Sequence, residues 1–180
     1  MDVSGLRTPL TQDEIEFRVQ SINRGGYATM LVYKNARVDM EVLDRVVGPT
    51  NWKREHLNGN HNCIVSIWCP DKKAWVSKED TGTESNQDAQ KGLASDSFKR
   101  ACTNWGIGRE LYDYPEISVK LNDNEWEIFN NKPKATWNLK VKNWRWFTKW
   151  ENNKLVLLAA RDETGAVRFK YKVEGEAPSE

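Results

Sequence analysis

The sequence predicts an α+β fold built on an antiparallel β-β-β-α core, and three observations predict it. Three strand-like runs, Asn51 to Leu57, Cys63 to Cys69 and Ala74 to Lys78, follow one another across short, turn-rich links. Strands set so close together pair antiparallel, since parallel pairing needs a crossover of about a dozen residues. Within the second run, Cys63, Val65, Ile67 and Cys69 alternate with Ile64, Ser66 and Trp68, the period of a strand with two distinct faces. A long helical pattern then runs to Trp105, with Ala94, Phe98, Ala101, Cys102 and Trp105 on one stripe.

The other elements follow in chain order. Thr11 to Ser21 is expected as a short helix. Thr11 suits an N-cap, Asp13 and Glu14 suit the first turn, and Ile15, Val19 and Ile22 lie on one side. Gly25-Gly26 ends it, and YATMLVY, Tyr27 to Tyr33, reads as a strand. Arg37 to Val47 has Met40, Leu43 and Val47 at helical spacing before Gly48 and Pro49 stop it. NGNHN and Pro70-Asp71 supply the links of the meander. Ser85 or Asn86 is the expected cap of the long helix, and Gly106 and Gly108 close it. Beyond Tyr112 a polar linker, Asn122 to Asn131, leads to the Trp-rich TWNLKVKNWRWFTKW. A hairpin of Leu155 to Arg161 and Val167 to Val173 turns at Asp162–Gly165, and the acidic EGEAPSE is expected to be disordered. The expected division is a core domain 1–115, a linker 116–135, a Trp-rich β extension 136–175 and a tail 176–180.

Composition narrows the function classes. With 180 residues, 38% hydrophobic and 29% charged, the chain suits one globular domain with appended elements. No apolar run approaches the ~18 residues of a membrane span, and MDVSGLRTPLTQDE has no signal-peptide pattern, so a cytoplasmic protein is expected. Three cysteines, Cys63, Cys69 and Cys102, make no disulfide framework and fit a reducing compartment. Net charge is only +1, yet Lys132 to Trp150 holds six basic residues and no acidic one. A local stretch of that kind, unlike the global sum, attracts polyanions.

Catalytic patterns are missing from the sequence. His56, His61, Cys63 and Cys69 cluster without zinc-site spacing, and the cysteines point inward on a strand. Asp39, Asp44, Glu79, Asp80 and Asp96 are scattered carboxylates that read as surface, not as the clustered ligands of a metal-dependent nuclease. There is no GxxxxGK[ST] loop for ATP. The expectation is therefore no catalytic residue, no metal and no cofactor.

The most informative segment is KGLASDSFKRACTNWGIGRELY, Lys91 to Tyr112. At ~100° per residue Lys99 and Arg100 fall off the apolar stripe, whereas Lys91 lies near its azimuth. Together with IEFR at Ile15 to Arg18, the GGY turn, RVDMEVLDRVVGPTNW and the three strands, this segment resembles the Rad-fifty-two superfamily of single-strand annealing proteins. That superfamily takes in the eukaryotic recombination mediator, phage Sak-type annealers and DdrA-type DNA-end protectors. The phage-like subgroup is nearest in length and in FKRACTNWGIGRELY, and the resemblance spans Pro9 to Tyr112.

The resemblance implies a β-β-β-α fold that assembles into rings, with single-stranded DNA in an outer basic groove. It implies strand annealing in recombination and repair, without ATP, in the cytoplasm of a phage-infected bacterium. A phage or host exonuclease and a single-strand-binding protein are implied as partners, with no membrane. The family's DNA-contacting positions fall on Arg18, Lys91, Lys99 and Arg100, with Arg37 and neighbouring Tyr33 a match that slips by one residue in some alignments. One departure is Thr103, where eukaryotic members carry another basic residue. Beyond Tyr112 the residue pattern alone adds Lys140, Lys142 and Arg145 as DNA-binding candidates. Trp144 and Trp146, on one face of a strand, either pack inside the protein or its oligomer or serve a second DNA strand. An annealer must grip phosphates and leave base edges free, which outward Lys and Arg on a rigid helix accomplish. The rival readings are strand or end protection without annealing, and a metal-dependent nuclease.

Overall fold

The computed structural model describes residues 2–83 and 89–173, the side chains of 89–91 excepted. The side chain of Lys91, the caps expected at Ser85 or Asn86, and the tail 176–180 lie outside the described residues. The chain divides into two compact units, one of residues 1–14 and 34–110, the other of residues 15–33 and 111–180.

In the first unit, strands β3 (Trp52–Leu57), β4 (Asn62–Cys69) and β5 (Ala74–Thr81) form an antiparallel sheet in that order. The β3–β4 turn takes left-handed backbone at Asn58, Gly59 and Asn60, residue types that tolerate it. Helix α2 (Ala89–Trp105) lies across β4 and β5 and buries Leu93, Phe98, Ala101 and Cys102, as Cys63, Val65 and Ile67 are buried on β4. This is the expected β-β-β-α core. At Gly82 a Cβ would stand 2.6 Å from the Ser97 amide, so this strand exit meets the helix backbone directly. Helix α1 (Ala36–Val47) starts where the Asn35 side chain accepts from the Arg37 and Val38 amides, at 2.8 and 3.3 Å. It buries Val38, Val42, Leu43 and Val47 and ends at Gly48. All three cysteines are free.

In the second unit, β1 (Glu16–Ile22), β2 (Tyr27–Tyr33) and β6 (Ile117–Lys120) form one antiparallel sheet, ordered β1-β2-β6. Strands β7 (Trp126–Phe129) and β8 (Lys132–Ala135) form a hairpin. Strands β9 (Arg145–Glu151), β10 (Lys154–Arg161) and β11 (Val167–Lys172) form a third antiparallel sheet. Ala28 and Met30 of the first sheet share a core with Trp144, Trp146, Leu158 and Ala160. The tryptophans thus pack inside this unit, the first of the two readings left open by the sequence.

Two expectations are corrected. The segment Thr11 to Ser21 is not a helix: a 3-10 turn at Gln12–Glu14 leads into β1. Phe17 and Val19 alternate inward, and a bulge between Val19 and Ser21 shifts the next inward residue to Ile22. The bulge lends a strand the apparent 3-4 spacing of a helix. The supposed linker Asn122 to Asn131 holds β7 and the turn into β8, which uses left-handed Asn130 and Asn131. Two positive-φ residues in succession make the tight turn that right-twisted hairpins favour.

Candidate nucleic-acid interface

Four of the sequence-derived residues come together in the second unit. Arg18, Tyr33, Lys140 and Lys142 line one cleft of about 430 Å³, with Glu16, Phe17 and Leu139 among its other walls. Strand pairing sets Glu16 opposite Tyr33, and the Tyr33 hydroxyl donates to Glu16 Oε2 at 2.7 Å. That carboxylate bond and burial push the Tyr33 phenol above its ordinary range. The Arg18 guanidinium lies 5.4 Å from the Tyr33 ring centroid, a cation–π contact that orients it at the exposed edge. Lys140 and Lys142 bracket a short 3-10 turn, Val141–Asn143, anchored by buried Val141. Lys140 Nζ also reaches Glu163 Oε1 at 3.9 Å.

Lys99 and Arg100 occupy the outward side of α2 in the first unit, as their azimuth requires, with side chains 30% and 45% exposed. Each has an acidic neighbour. Arg100 Nε stands 3.3 Å from Asp80 Oδ1, and Lys99 Nζ stands 4.0 Å from Asp96 Oδ1. Exposed pairs of this kind are worth about 0–1 kcal/mol, so a phosphate can compete for either cation. Thr103, at the position where a basic residue was missed, turns its hydroxyl back to the Lys99 carbonyl at 3.0 Å. It is backbone-bonded, and supplies no charge.

Two further cations sit beside the C-terminal end of this helix, where carbonyls lack helical partners. Lys78 Nζ donates to the Asn104 carbonyl at 2.7 Å and lies over the Trp105 ring. Burial, then Arg109 and Arg7, hold the Lys78 ammonium below its usual range. Arg109 donates to the Thr103 and Asn104 carbonyls. Sequence reasoning missed both, because their place depends on the helix ending against β5. Arg37 is exposed in the first turn of α1, and Arg145 is exposed on β9.

The glycines of GIGR have structural work. Gly106 and Gly108 have φ of +114° and +67°, and a Cβ on Gly108 would meet Lys34 Cε at 2.4 Å. Lys34 is itself buried and bonds Asp39, also buried, at the start of α1. Glu110, two residues further on, accepts the Leu10 amide at 2.7 Å. Trp105 Nε1 donates to the Val65 carbonyl at 3.0 Å, fixing the helix end to the sheet. The motif therefore locks the helix that carries Lys99 and Arg100.

The carboxylates weighed as metal ligands have other partners. Asp44 accepts the Trp52 indole, Glu79 accepts Asn62, and Asp96 accepts the Thr83 amide. Cys63 faces His56 at 4.0 Å, its thiol pushed up to about 11 by burial. No helix among the described residues is long and apolar enough to cross a membrane.

The family model described as "Rad52/22 family double-strand break repair protein" matches residues 72–128, from β5 through α2 to β7. The chain belongs to the Rad52-like superfamily. Within that superfamily it is 35% identical over 98 residues to the single-stranded DNA-binding protein DdrA of Deinococcus deserti, covering 53% of this chain and 48% of the relative. It is 32% identical over 98 residues to the DdrA of Deinococcus radiodurans, covering 53% of this chain and 47% of that relative. The match thus spans about half the length of these curated relatives. No solved structure matches this Rad52-like chain at comparable significance.

Proposed function

We propose that the chain binds single-stranded DNA through its phosphates and anneals complementary strands in recombination and repair. It works without ATP, as an oligomeric ring of the phage type. The observation that carries this reading is the cleft in which Arg18, Lys140 and Lys142 meet beside Tyr33, although they lie far apart in the chain. Lys99 and Arg100 on α2 supply further phosphate contacts on a rigid support. Gripping the backbone leaves base edges free to pair, which annealing needs. A ring repeats these modest sites along one strand and raises affinity by multivalency. The printed names of the DdrA relatives support single-strand binding and favour one rival, binding or protection without annealing.

The test is a fluorescence assay with complementary labelled oligonucleotides, run on the unaltered chain and on Lys140→Gln/Lys142→Gln. The reading expects strand binding, faster annealing than without protein, and a loss of both in the variant at unchanged thermal stability. Binding with no acceleration of pairing would replace annealing by protection. No binding at all would overturn the reading.

A further inference from the structure

The outward face of the β9–β10–β11 sheet carries a second group of cations, separate from those assigned above. Across β9 and β10, Arg145 stands directly opposite Arg161, Phe147 opposite Ala159, and Lys149 opposite Leu157. Across β10 and β11, Ala159 stands opposite Lys170 and Leu157 opposite Lys172. Directly opposed residues share a face, so these cations surround the exposed ring of Phe147. The other face is core, with Trp146, Leu158 and Ala160 buried. Arg145, Phe147, Leu157, Ala159 and Arg161 line a trough of about 590 Å³ together with the Asp162–Gly165 turn.

The opposed arginines are the informative feature. Like charges directly across a sheet destabilise it, and opposed Cα atoms stand only about 5 Å apart. Neither Arg145 nor Arg161 has an ion-pair or hydrogen-bond partner among the described residues. The nearby carboxylates are engaged elsewhere. Asp162 pairs with Arg168, Glu163 accepts from Asn143, and Glu151 pairs with Lys149 at 2.6 Å. An anion held between the two guanidiniums would relieve the repulsion, and the adjacent aromatic ring is the shape a nucleobase stacks on.

We propose that this sheet face is a further binding site for single-stranded nucleic acid, Arg145 and Arg161 sharing a phosphate while Phe147 stacks a base. The proposal rests on the single-strand reading above but uses different residues. A stacked base is withheld from pairing, so this face anchors a strand where the cleft and α2 present one. The full chain is titrated with fluorescein-labelled oligothymidine across a range of salt. Arg145→Gln/Arg161→Gln is expected to flatten the slope of log K against log salt by about 1.4, at about 0.7 per lost contact. Its melting temperature should stay level or rise, because a repulsion is removed. Phe147→Ala is expected to weaken binding about tenfold and leave the slope unchanged. Wild-type affinity and slope in both variants, with Lys140→Gln/Lys142→Gln still defective, would overturn this site and leave the cleft standing. Polyglutamate binding lost in the arginine variant at unchanged DNA affinity would reassign the face to an acidic peptide. Failure of the unaltered chain to bind the oligonucleotide would overturn both proposals.

Discussion

Phe17 lies flat on Trp146, ring centroids 3.8 Å apart and planes 4° from parallel. The contact joins β1 to β9 inside the second unit, across most of the chain's length. Trp146→Ala is expected to cost about 3–5 kcal/mol in urea unfolding, the range for large aromatic truncations in a core. Trp146→Phe should cost much less, since the indole Nε1 has no hydrogen-bond partner among the described residues. Equal losses in the two variants would contradict this packing. Deleting residues from Thr136 onward removes Trp144, Trp146, Leu155 and Leu158 from the same core, and should unfold the unit.

The β-β-β-α core was legible because its strands alternate cleanly and its helix has one apolar stripe. Lys99 and Arg100 were placed outward by azimuth alone. β1 was hidden by its bulge, which spaced Ile15, Val19 and Ile22 as a helix would. β6, β7 and β8 have four residues each, too few to show a period, and β8 reads KPKA. The Asn130-Asn131 and Asn152-Asn153 pairs, all at positive φ, were the signal available for those hairpins. The cleft itself was out of reach, because Arg18 and Lys140 meet only through the packing of separate sheets.

Gly108 tests the lock behind α2. Gly108→Ala places a methyl group against Lys34 as well as straining the backbone, whereas Gly59, φ +63°, opens to free space. Gly59→Ala is expected to cost about 1 kcal/mol, the backbone penalty alone. Gly108→Ala should cost at least about twice that in parallel thermal melts. A smaller loss at Gly108 than at Gly59 would contradict the close approach.

The buried carboxyl beside Lys34 gives a pH signature. Burial raises the Asp39 pKa from 3.8 to about 6, against the opposing pull of Lys34. The folded state then binds this proton more tightly than the unfolded one. The resulting stabilisation is complete below pH 3.8 and is lost as pH rises through about 6. Stability of the unaltered chain relative to Asp39→Asn should therefore fall from pH 4 to pH 6, on the order of 1 kcal/mol per pH unit, and level off above. A difference that stays constant over that window would contradict the shift.

Phosphate gripping is tested most directly by the salt dependence of single-strand affinity, measured on two oligonucleotides of unrelated sequence. With Arg18, Lys99, Arg100, Lys140 and Lys142 each taking a phosphate, log K should fall linearly with log salt at a slope of about −3.5 for both sequences. A flat response, or a slope and affinity that differ sharply between the two sequences, would contradict it.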